Sequence, residues 1–205
     1  MGGFSVDTSG PIPELYLYGE FSDDPYTVDA ITVAEVIEAL QTLRGSRNIV
    51  ARINSPGGSV FEAVAIYNAL VRHEAHVRVE IDALAASAAA IVAMAGDEIV
   101  MAGNASMMIH RAWTIAMGNR EELAIVVRSL RTVDELMLDT FDARTGGKSR
   151  RDAIEAWVNA ETWMSPEQAV ERGFADRVGQ MRKGVSASVR AGRFKNTPQH
   201  LIARP

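Results

Sequence analysis

The chain has 205 residues, a net charge of −5 and no cysteine. That length suits one domain of ordinary to large size. Without thiols, disulfides and thiolate metal sites are excluded and a reducing compartment is permitted. The charge is uneven, because no acid follows Asp176 while residues 181–205 carry Arg182, Lys183, Arg190, Arg193, Lys195 and Arg204. A basic tail can bind nucleic acid or an acidic partner; the simpler expectation is a flexible, soluble C-terminal arm, with no nucleic-acid partner. The N-terminus lacks a basic-then-apolar signal pattern. The alanine-rich run is shorter than the roughly 18 apolar residues that span a bilayer, so a cytoplasmic protein without a membrane partner is expected.

In chain order, residues 1–13 are rich in Gly, Ser and Pro and are expected to be flexible. Residues 14–21 alternate apolar and polar, as a strand does. Residues 32–43 carry Val33, Val36, Ile37 and Leu40 at helical spacing, with Gly45 as the stop. Residues 48–54 (NIVARIN) predict a second strand, broken by Ser55-Pro56-Gly57-Gly58 before a helix over 60–71. A third strand covers 77–81, and a helix should begin near Ser87, within a run (83–95) holding eight alanines. This alternation predicts α/β layers around a largely parallel sheet. Residues 98–101 and 107–111 are short strand candidates, and 121–143 a long amphipathic helix whose apolar stripe exceeds what a small domain can cover. Residues 149–160 predict a short helix, and 162–164 extend. Ser165-Pro166-Glu167-Gln168 has the residues of a capped helix start. Gly173 closes that helix, and 174–178 (FADRV) predict a last strand.

Acyl transfer needs a nucleophile, a base, a group that orients the base, and donors for the oxyanion. Ser87 stands at a strand-to-helix turn among alanines, as a nucleophile or merely as a helix cap. Gly57-Gly58 can bend backward and offer a bare N–H. The N–H of Gly58 and that of Ala88 are candidate oxyanion donors, although Pro-Gly-Gly alone is more often a plain turn. His110 is the one histidine of four that ends an apolar strand, and imidazole suits a base near neutral pH. His73 and His76 read as a solvated turn rather than a metal site, and His200 lies in the tail. For the acid, Glu161 precedes the capped helix, with Asp152 and Glu155 as alternatives. A serine–lysine pair is disfavoured: Lys148, Lys183 and Lys195 all lie outside apolar settings that would lower their pKa.

Taken together, these segments resemble the Clp protease proteolytic subunit family, ClpP, and its phage-type relatives, the head maturation proteases. The matching motifs are Ile53-Asn54-Ser55-Pro56-Gly57-Gly58, Ala85-Ala86-Ser87, Met108-Ile109-His110, and the closing segment 165–178 with Asp176. The resemblance runs over residues 14–178, leaving 1–13 as an N-terminal segment and 179–205 as a basic arm. It implies a ClpP/crotonase-like α/β spiral of βαβ units, with 121–143 as a protruding handle helix. It also implies Ser87 as nucleophile, His110 as base, and Gly58 and Ala88 as oxyanion donors. The family's acid falls at Glu161, where the family usually carries aspartate. The implied activity is a serine endopeptidase working on polypeptides inside a homo-oligomeric chamber of stacked rings, without metal or cofactor. Its implied partners are an AAA+ ATPase unfoldase, or phage capsid or scaffold proteins. Two other readings share this fold: a crotonase-type acyl-CoA enzyme, which needs neither Ser87 nor His110, and a catalytically weak assembly protein with a decayed triad.

Overall fold

A computed structural model describes residues 2–181 and 185–202. The described residues run β1 (Gly3–Asp7), β2 (Glu14–Tyr18), β3 (Glu20–Phe21), β4 (Ala30–Ile31), α1 (Val33–Thr42), β5 (Asn48–Ser55), α2 (Val60–Val71), β6 (His76–Ala86) and α3 (Ala88–Ala93). There follow β7 (Glu98–Ala102), β8 (Ser106–Ile109), α4 (Arg120–Thr145), α5 (Arg151–Asn159), β9 (Thr162–Met164), α6 (Pro166–Arg172), β10 (Arg177–Gly179) and a 3-10 turn, Gln199–Leu201. The main sheet has the order β1-β2-β5-β6-β7-β10, with β8 against β6 and β9 against β8. Its central pairs are parallel, as the strand–helix alternation predicts. Only β1–β2 and β8–β9 are antiparallel among the described residues.

Local chemistry explains the element ends. Thr32, Asn119 and Ser165 each close a capping box, with Glu35, Glu122 and Gln168 as reciprocal partners. Gly146 and Gly173 stop α4 and α6 in the left-handed conformation. The long helix and the α6 start match expectation closely. The last strand lies later than expected, at Arg177–Gly179, because the N–H groups of Phe174 and Ala175 turn back to Ala169 O. The two-residue strands β3 and β4 carry too little pattern to be foreseen.

Strand β6 organises the molecule. Its first half pairs with β7, Arg78 to Ile81 against Glu98 to Met101. Its second half leaves β7 and pairs with β8, Leu84 to Ala86 against Ser106 to Met108. The first half alternates buried and half-exposed, while Ile81–Ala86 is buried on both faces. On one face Ile81 and Ala85 join the main core with α3, all of whose residues are buried. On the other face Leu84, Ala86 and Met108 meet Val189, Phe194 and Leu201.

That second contact changes the expectation for the C-terminal arm. Its described part is not a loose chain: Val189, Phe194 and Leu201 are buried, and Val189 N–H donates to Leu201 O at 2.6 Å. The burden of covering the apolar outer face of Leu84 and Ala86 falls on this segment. Arg182, Lys183 and Arg204 lie outside the described residues. The N-terminal segment is likewise ordered where β1 pairs with β2, from Gly3↔Tyr18 to Asp7↔Glu14. No helix among the described residues is long and apolar enough to cross a membrane.

Candidate active site

Ser87 is the residue between the end of β6 and the start of α3. It occupies the cap position yet makes no side-chain capping bond. Its backbone has φ +57° and ψ −125°, a conformation costing about 1–3 kcal/mol for a non-glycine residue. The Ser87 N–H donates to Met108 O at 2.9 Å, so the β6–β8 pairing extends to the serine and holds the turn. The hydroxyl is turned instead toward His110, with Oγ 2.7 Å from Nε2. A strained serine that caps nothing and lies within hydrogen-bond reach of an imidazole has the geometry in which that imidazole can take the hydroxyl proton.

His110 follows β8 directly, so the Ala86↔Met108 register sets both partners at the same end of the sheet. Burial of the ring is the main influence on its pKa and holds it below the ordinary histidine value. The negative charges of Glu161 and Asp134 oppose that shift, and the positive charge of Arg193 adds to it. Neutral imidazole is the form that can accept the Ser87 proton.

The Gly57-Gly58 turn lies against this pair. Gly57 has φ +94°, and a Cβ there would sit 2.7 Å from Ala86 O and 2.8 Å from Ser87 Cβ. Gly58 has φ +135°, and its Cβ would sit 2.2 Å from Phe21 O. Ser55, fully buried, accepts the Gly57 N–H on Oγ at 3.1 Å and shapes the turn. Gly58 and Ala88 line the same cavity as Ser87 and His110. Neither backbone N–H has an acceptor among the described residues, so both are free to serve a ligand oxygen.

Glu161 is placed differently from a simple orienting acid. Its carboxylate accepts the backbone N–H of Lys195 at 3.0 Å and of Asn196 at 2.5 Å. Among the described residues it makes no hydrogen bond to His110; its influence on the ring is through charge. The alternatives are engaged elsewhere: Asp152 pairs with Arg150, and Glu155 with Arg111. Lys148 donates to Val170 O, and Lys195 meets Glu161 through its backbone; Lys183 lies outside the described residues.

The cavity, of about 490 Å³, is walled by Val126, Leu130, Val133 and Met137 of α4 and by Phe194. Arg193 crosses it to a two-pronged pair with Glu20, both contacts 2.8 Å. Glu20, Arg193 and Phe194 were not foreseeable as isolated residues. The available signal was the run Ala83–Ala86, apolar on both faces, which requires a cover. Among the described residues no group of three or more histidines or carboxylates is gathered to hold a metal ion.

The family model described as Clp protease matches residues 22–182. The ATP-dependent Clp protease proteolytic subunit 1 of Corynebacterium diphtheriae is 30% identical over 162 residues, covering 76% of this chain and 77% of that protein. The corresponding subunit 2 of Corynebacterium jeikeium is 30% identical over 188 residues, 88% of each chain. The chloroplastic proteolytic subunit 3 of Arabidopsis thaliana is 31% identical over 156 residues, 74% of this chain and 50% of that protein. The family model spans well over half of the chain and the relatives reach 30% identity over most of it, so the chain belongs to the Clp protease family.

Proposed function

We propose that this protein is a serine endopeptidase that hydrolyses polypeptides by acyl transfer through Ser87. The observation that carries this reading is the 2.7 Å contact between Ser87 Oγ and His110 Nε2 at a serine that caps no helix. In the proposed reaction Ser87 Oγ attacks the scissile carbonyl while His110 Nε2 takes its proton. The N–H groups of Gly58 and Ala88 receive the oxyanion. The tetrahedral intermediate collapses, the C–N bond breaks, and His110 gives its proton to the leaving amine. Water, activated by the same imidazole, then releases the acyl group. The negative charge of Glu161 supports the imidazolium that forms in each step.

A fluorophosphonate probe should label the parent protein on Ser87, and Ser87→Ala should lose both labelling and peptide hydrolysis, the latter by on the order of 10⁴-fold or more. Absence of labelling in the parent would overturn the proposal. A crotonase-type acyl-CoA enzyme would keep its turnover in Ser87→Ala. A catalytically weak assembly protein would hydrolyse peptide only slowly in the parent.

The same reading includes a homo-oligomer. Leu123, Ile125 and Val127 of α4 are exposed, as are Trp113, Ile115 and Met117 just before it. Exposed apolar area of this kind, on α4 and the segment before it, is what a subunit contact covers. The resemblance brings two sources of substrate, an ATPase unfoldase or phage capsid and scaffold proteins. Hydrolysis of a folded protein only when an unfoldase and ATP are added would assign the first.

A further inference from the structure

Four observations about the C-terminal segment converge on the catalytic imidazole. The Phe194 ring lies edge-to-face on His110, with centroids 5.4 Å apart and planes at 80°. Phe194 also packs on Trp163 of β9, at 5.9 Å, and is only 7% exposed. The residues on either side of it are fixed: Arg193 by Glu20, and Lys195 and Asn196 by the Glu161 carboxylate. Asn196 Nδ2 adds a bond to Ala160 O at 3.0 Å. An imidazole that must keep Nε2 on Ser87 needs a second contact to stop it turning. No carboxylate among the described residues hydrogen-bonds the ring, so Phe194 supplies a contact that an orienting acid would otherwise make.

We infer that Phe194 is a positioning residue for His110, held against the ring by Glu161 through the backbone N–H groups of Lys195 and Asn196. This rests on the serine peptidase reading above. It gives Glu161 a mechanical task besides its charge, and it makes the C-terminal segment part of the catalytic apparatus. A phenyl ring is well suited to the task, since in a T-shaped contact it packs on the imidazole and carries no polar atom to compete for the ring nitrogens.

The charged groups around His110 are Glu161, Asp134 and Arg193. Removing Phe194 exposes the imidazole, so its pKa should rise toward the ordinary value. The test measures kcat, KM, the acid limb of kcat/KM and the rate of fluorophosphonate labelling for Phe194→Ala, Phe194→Tyr and Asn196→Ala. Phe194→Ala should lower kcat and the labelling rate by about ten- to a hundredfold, as misplacement of a catalytic group does. Its KM should stay near the parent value and its acid limb should move to higher pH. Phe194→Tyr keeps the ring and should retain the parent's behaviour. Asn196→Ala should show a smaller loss in kcat of the same kind; it carries the test if Phe194→Ala fails to fold. Parent kcat and acid limb in both Phe194→Ala and Asn196→Ala would overturn the inference. So would a loss confined to KM, which would make Phe194 a substrate wall. A parent protein that does not label at all overturns the peptidase reading along with it; a parent that labels no faster than Phe194→Ala overturns this inference alone.

Discussion

His110 accepts a proton only while neutral, and burial together with three charged side chains decides the pH at which that holds. Burial and Arg193 lower its pKa, while Glu161 and Asp134 raise it. The acid limb of kcat/KM is therefore expected below the ordinary histidine value of about 6.5, with activity lost as pH falls through it. Glu161→Gln removes a charge that favours the imidazolium, so the limb should move to still lower pH; a limb left in place would deny Glu161 any electrostatic part. Kinetics across pH 4–9 on a peptide substrate would read the shift. The Ser87–His110 contact was anticipated in the sequence because the two residues, each ambiguous alone, stand in motifs that resemble one family's in the same order. The second task of Glu161 was not. Its partners are backbone N–H groups 34 and 35 residues away, and a backbone N–H leaves no mark in the residue that carries it.

At the scale of the element, the Gly57-Gly58 turn is the tightest constraint. Parallel strands β5 and β6 shift register between Ile53 and Ser55, and the turn then folds back onto Ser87. Gly58→Ala would force a Cβ to 2.2 Å from Phe21 O at φ +135°. It is expected to destabilise the protein by on the order of 3 kcal/mol and to suppress Ser87 labelling, measurable by thermal melting and probe kinetics. The helices could be read because caps and glycine stops are short-range chemistry: α1, α4 and α6 each follow a residue whose side chain accepts an N–H from the helix's own first turn. Strand β1 could not. Its five residues include a glycine and none is fully buried, so it is defined by pairing with β2 rather than by its own pattern.

Over the whole molecule, α4 divides into two parts. Met137, Leu138 and Phe141 are buried toward its C-terminal end, while Leu123, Ile125 and Val127 are exposed near its start. Leu123 and Val127 are one turn apart, so a charge at Val127 would interrupt an apolar strip rather than a single contact. Val127→Asp is expected to lower the assembly mass in sedimentation velocity while leaving the subunit folded; an unchanged mass would remove this strip from the subunit contact. The strip was readable as excess apolar periodicity. The covering of β6 by Val189, Phe194 and Leu201 was not, since these residues are spaced without a period and are separated by cations.

That covering also has a consequence for the order of synthesis. Ser87 and His110 leave the ribosome well before Phe194, and even Glu161 precedes Asn196 by 35 residues. At about 5–20 residues per second this interval lasts roughly 2–7 s. During it a nascent chain holds Ser87 and His110 without the segment that packs on the imidazole. On the peptidase reading proposed above, a chain steadied this late is expected to cleave slowly while its own unfolded polypeptide is the nearest substrate.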